Sequence, residues 1–78
     1  MTLLDFYFAS DNIRATIIVI CDGIEKAVAI NTLLSNIWLD STTFELYGKW
    51  RVVRISYKSI TLYKGEPATQ VTLTLKEI

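Results

Sequence analysis

Asp22-Gly23-Ile24-Glu25-Lys26-Ala27-Val28-Ala29-Ile30, continuing as NTLLSNIWL to residue 39, reads in two ways. In the first, Asp22 is a helix N-cap and Glu25, three residues on, completes a capping box. A helix from about residue 23 to 39 then gathers Ala27, Ile30, Leu33, Leu34, Ile37 and Trp38 within an arc of roughly 140°, at ~100° per residue. Lys26 intrudes on that arc and has to lay its stem along it. Asn31, Thr32, Ser35 and Asn36 are mediocre helix formers and weaken the pattern. In the second reading Asp22-Gly23 is a hairpin turn and Ala27–Ile30 a strand. The helix is the leading expectation.

Strand patterns flank this segment on both sides. Leu3–Ala9 alternates, with Leu4, Phe6 and Phe8 on one face and Asp5 and Tyr7 on the other. Ser10-Asp11-Asn12 is a turn cluster. Ile13–Cys21 is rich in β-branched residues and apolar on both faces over its later half, as a central strand covered on both sides would be. After Asp40-Ser41-Thr42, the stretches Thr43–Tyr47 and Trp50–Tyr57 read as a hairpin turning at Gly48-Lys49. Past Tyr57 the apolar parity shifts, from Val53, Ile55 and Tyr57 to Ile60 and Leu62. One extra residue near Lys58-Ser59 restores a common face, as a β-bulge does. Gly65-Glu66-Pro67 is a turn. Gln70–Lys76 is a clean strand, with Val71, Leu73 and Leu75 opposite Gln70, Thr72, Thr74 and Lys76.

The expected fold is therefore a single α+β domain over residues 1–78. It is a small antiparallel sheet of five or six strands, in the order ββαββββ, with one helix packed on it. Such a sheet is roughly 20–25 Å across at ~4.8 Å per strand, and one helix is only ~10 Å wide. The sheet either curls toward a barrel or takes a second protein layer, which a second copy of the chain could supply.

The composition narrows the chemistry. The chain has no histidine, one cysteine (Cys21) and three scattered glycines. No histidine removes the commonest general base and metal ligand. One cysteine cannot build a tetrahedral zinc site or a disulfide, and it suits a reducing compartment. Gly23, Gly48 and Gly65 do not form a phosphate-cradling loop. Asp22/Glu25 and Asp40/Glu45 are the only near carboxylate pairs, better explained as a cap and as solvated acids than as a catalytic dyad. No enzyme activity, cofactor or metal is expected. The longest apolar run, Ile17–Cys21, is far short of the ~20 residues of a membrane helix, so a soluble cytoplasmic protein is expected.

Charge is balanced in total but not along the chain. Residues 1–45 hold six acids and two bases, and residues 46–78 hold six bases and two acids. Either the two halves neutralise each other on folding, or one carries a basic binding face. The interleaving in WRVVRISYKSITLYK, residues 50–64, places aromatics among bases. With Val53, Ile55 and Tyr57 inward, Trp50, Val52, Arg54 and Ser56 face outward, followed by Thr61 and Tyr63. Trp, Tyr and Arg dominate protein interface hot spots. The candidate binding residues are Trp50, Arg54, Lys58, Tyr63 and Lys64, with Tyr7 beside them.

The leading functional expectation is a small non-enzymatic protein–protein interaction module. A stand-alone chain of this size without a catalytic kit suits a phage- or mobile-element-type inhibitor or adaptor, acting in the host cytoplasm. A homodimer fits the same surface. One alternative is a nucleic-acid platform over residues 49–64, with aromatics stacking on bases, although a pI near 6.1 is acidic for that role. The other is a self-assembling structural subunit.

Overall fold

The computed structural model describes residues 1–77. It is a small α+β fold built on a four-stranded mixed sheet that stays open. The elements are α1 (Leu3–Ala9), β1 (Arg14–Cys21), β2 (Ile24–Leu33), α2 (Leu34–Asp40), α3 (Thr42–Tyr47), β3 (Arg51–Thr61) and β4 (Pro67–Lys76). In space the strands run β2-β1-β4-β3. The outer pairs are antiparallel hairpins, and the central pair β1/β4 is parallel. A parallel pair needs a crossover connection. Everything from β2 to β3 supplies it, and α2 and α3 lie on one face of the sheet.

The expected order ββαββββ, the five or six strands, the single helix and the curl toward a barrel are therefore corrected. Three local choices account for the difference. First, Asp22 and Gly23 both take left-handed φ, +51° and +77°, as the two central residues of a tight turn that pairs Cys21 with Ile24. Only Gly and a few short polar residues adopt that geometry readily. The hairpin reading wins, and the helix is confined to Leu34–Asp40.

Second, Leu3–Ala9 is a helix. Thr2 and Asp5 form a reciprocal capping box: the Asp5 N–H donates to Thr2 Oγ1 at 3.2 Å and the Thr2 N–H to Asp5 Oδ2 at 2.9 Å. Leu3 and Phe6, three apart, face the sheet together. Third, Thr42–Tyr47 is a short helix whose Thr43 and Phe44 are buried. Gly48 ends it. A Cβ there would collide with the Phe44 carbonyl oxygen and the Leu4 side chain.

The core lies between the helices and one sheet face. Ala15, Ile17 and Val19 of β1 and Val71, Leu73 and Leu75 of β4 are completely or almost completely buried. Leu3, Phe6, Leu34, Ile37 and Phe44 close over them from the helical side. The expected central strand and clean last strand are both present. β1 is covered by helices on one face only.

β2 carries two bulges, one of them around Asn31, whose φ is +46°. Side chains on the open face stitch this irregular stretch. The Asn31 N–H donates to Thr16 Oγ1, Gln70 Nε2 donates to the same oxygen, and Arg14 Nη1 donates to the Asn31 carbonyl, all at 3.1 Å. The start of β3 is paired on its outer side by the N-terminus. Val52 N–H donates to the Met1 carbonyl at 2.8 Å, and Thr2 bridges Arg51.

Candidate functional site

β3 is an edge strand, and its parity differs from the expectation. The bulge lies at Val53, between the pairs Val52/Leu75 and Arg54/Thr74, and not near Lys58-Ser59. From Arg54 to Thr61 the register is then regular. Residues directly opposite share a face, so Val52, Ile55 and Tyr57 join Leu75, Leu73 and Val71 on the helical side. Arg54, Ser56, Lys58 and Ile60 join Thr74, Thr72, Gln70 and Ala68 on the open side. Val52, expected outward, is half-buried against the core, and Ile60, expected inward, faces the open side.

The helical layer does not reach the far half of β3. Leu73 and Val71 are fully buried, yet their direct neighbours Ile55 and Tyr57 are 38% and 62% exposed. Val53, lifted by its bulge, is 47% exposed. Past the contact with Met1 and Thr2, the outer edge of β3 has no paired strand among the described residues. An apolar strip thus runs beside a row of unpaired backbone N–H and C=O groups, the arrangement onto which an added strand fits. β2, the other edge, is interrupted by its two bulges, a device that blunts strand addition.

The residues singled out from sequence separate into four places. Arg54 and Lys58 project from the open face of β3. Tyr63, fully exposed, and Lys64 lie in the β3–β4 loop, which closes through the Leu62 N–H to the Glu66 carbonyl at 2.8 Å. The first pair lies on a sheet face and the second beyond the end of the strand. Trp50 instead packs against the core, its ring 4.9 Å from that of Tyr47 in an edge contact. Tyr7 lies in the helical layer, stacked on Trp38 at 4.7 Å with the rings 4° from parallel. Ile55 and Tyr57, placed inward by their alternation, are the exposed residues that the sequence pattern concealed.

Charge separates by face. Residues 3–12 and 34–47, which build the helical layer, carry Asp5, Asp11, Asp40 and Glu45 and no base. The open sheet face carries Arg14, Arg51, Arg54, Lys58 and Lys76 against Glu25. No aromatic residue stands on that open face among the described residues. Among the described residues no three His, Cys, Asp or Glu side chains gather as a metal site. No helix of the described residues is long and apolar enough to cross a membrane. No protein-family model, no curated protein and no solved structure matches the chain.

Proposed function

We propose that this chain is a small non-catalytic protein-binding module, an inhibitor or adaptor of a larger protein, that takes an extended segment of its partner onto the free edge of β3. The observation that carries this reading is the contrast along one sheet face. Val71 and Leu73 are buried while Tyr57 and Ile55, directly opposite them, are left in water. A strand added beside β3 satisfies the row of backbone groups and covers both side chains at once. Residues of the partner that point to the helical side would be apolar. Those that point to the open side would meet Arg54 and Lys58, and acidic residues suit them. Nucleic-acid stacking is less well supported, because the aromatics that would stack on bases are absent from the basic face.

The test is affinity capture from the lysate of the native host, with and without nuclease. Wild-type protein is compared with the double variant Ile55→Thr/Tyr57→Thr, which keeps strand-forming residues and removes the apolar strip. The expected result is a protein retained through nuclease treatment by the wild type and lost with the double variant. Capture that disappears with nuclease, or that the double variant leaves unchanged, overturns the reading.

A further inference from the structure

We propose that the protein also stacks on copies of itself, the acidic aromatic face of the helices seating on the basic open sheet face of the next copy. The proposal does not use the Ile55/Tyr57 strip that carries edge docking, shares with it only Arg54 and Lys58, and leaves the backbone edge of β3 free.

Two clefts flank the Tyr7–Trp38 stack. One, of about 340 Å³, is lined by Leu4, Trp38, Ser41, Phe44 and Glu45. The other, of about 250 Å³, has Tyr7, Phe8 and Asp11 in its wall. Each therefore combines aromatic rings with one carboxylate, the surroundings that favour a guanidinium or ammonium group. Phe8, between them and edge-on to both Tyr7 and Trp38, is 72% exposed. The bases nearest this layer are Lys49, just past the end of α3, and Lys26, which lines a third cleft together with Asp40.

The open sheet face offers the complement. Arg54 and Lys58 stand four residues apart on one strand, about 13 Å at the usual rise. Across the sheet Arg54 is in line with Thr74 and the half-buried Ile18, Lys58 with Gln70 and Arg14, and Thr72 and Thr16 lie in the row between them. Charge then selects the geometry of association. Helical face on helical face would bring the acids of one copy against those of the other, and sheet face on sheet face would do the same with the bases. Like charges brought together across an interface cost several kcal/mol. Only the unlike pairing, helical face to sheet face, is attractive, and zero net charge leaves no long-range repulsion against it. Such a contact joins two different surfaces, so it builds chains or rings of copies rather than a closed dimer.

Light scattering after size exclusion tests this on the whole chain across a concentration range, in about 50 mM and about 500 mM salt. The wild type is expected to exceed the monomer mass of 8.9 kDa at high concentration in low salt and to return to it in high salt. Arg54→Glu/Lys58→Glu and, separately, Asp11→Lys/Glu45→Lys are each expected to weaken self-association by about tenfold or more. Mixing the two variants restores it, because each then presents the charge that the other lacks. The milder Arg54→Gln/Lys58→Gln serves if a reversal disturbs folding, which circular dichroism reports. Ile55→Thr/Tyr57→Thr leaves the stack intact. A wild type that is monomeric throughout overturns the proposal. So does association that ignores salt and charge reversal, a variant mixture that stays monomeric, or association abolished by Ile55→Thr/Tyr57→Thr.

Discussion

Replacing Tyr57 by Thr, and separately Leu73 by Ala, separates a docking residue from a core residue on the same sheet face. Leu73 is completely buried, and losing its side chain leaves a cavity beside Ile17 and Leu75, at a cost of about 2–5 kcal/mol. A chain of 78 residues has roughly 4–12 kcal/mol in total at the usual ~0.05–0.15 kcal/mol per residue. Leu73→Ala thus threatens the fold. Tyr57 is 62% exposed, so only some 80 Å² of it is removed from water, given about 200 Å² for a fully buried tyrosine. At ~25 cal/mol per Å² that is at most about 2 kcal/mol. The threonine retains part of the contact and the unfolded chain is already partly compact, leaving about 1 kcal/mol. Urea unfolding followed by the fluorescence of Trp38 and Trp50 measures both. With a slope of ~1 kcal/mol/M, the midpoint moves by about 1 M for Tyr57→Thr. Leu73→Ala moves it by 2 M or more, or prevents folding. A Tyr57→Thr shift as large as that of Leu73→Ala would mean that the tyrosine holds the fold together, and the docking strip would lose its basis.

Three further perturbations probe the joints of the fold. Gly48→Ala should cost roughly 1–3 kcal/mol despite alanine's better helix propensity, because its Cβ has no room beside the Phe44 carbonyl and Leu4; thermal unfolding reads it. Asn12→Ala should cost about 1–2 kcal/mol in the same assay. The Asn12 side chain accepts from the Ser35 N–H at 2.9 Å and donates to Ser35 Oγ at 3.0 Å, capping α2 from a distant loop. Asp5 is held below its ordinary 3.8, first by the Thr2 N–H and then by the Thr2 hydroxyl. A depressed folded value means that its contribution is present above that ordinary value and is lost as pH falls through the lower folded one. Asp5→Asn should therefore flatten the loss of stability measured in acid, and an unchanged acid limb would refute the capping role.

What the sequence made legible follows from how much of each signal was local. β4 alternates cleanly because one face meets the helices and the other is open. β1 is central, as its apolar run suggested, but the second cover expected from its two apolar faces is not there: Ile18 and Ile20 stand half-buried on the open side. α1 was misread because Leu4, Phe6 and Phe8 alternate, although Thr2-x-x-Asp5 is a capping signature that outweighs alternation in a seven-residue segment. In residues 22–39 both a capping box and a turn were present, and two consecutive left-handed residues decided for the turn. The candidate surface was only partly visible. Arg54 and Lys58 do share the open face, but alternation marks which side a residue takes and not whether anything covers it. Ile55 and Tyr57 point the same way as a core strand and are exposed because β3 lies at the edge, a fact about topology. The polarity of the two faces was hidden likewise. The −4 and +4 halves of the chain do not simply cover each other; most of their charges sort onto opposite faces of one sheet.

Hydrogen exchange can tell the edge from the faces in a single protein. None of α1, α2 and α3 exceeds seven residues, well short of the ~12–15 at which a helix persists alone. They are held by docking Leu3, Phe6, Leu34, Ile37 and Phe44 onto the sheet, and their amides should exchange through local opening well before those of β1 and β4. A layer bound to the helical face opposes that opening. At hundredfold excess over its dissociation constant it contributes about 2.7 kcal/mol, which slows exchange about a hundredfold. Stacking of copies therefore predicts helical amides that slow as protein concentration rises in low salt, while residues 53–61 are unaffected. An added strand predicts the reverse. Alternate amides of residues 53–61, those pointing away from β4, gain protection from the partner and the helices do not. Helical amides that keep their rates across the concentration range, while the mass of the particle grows, would refute the stacked geometry even where self-association itself is real.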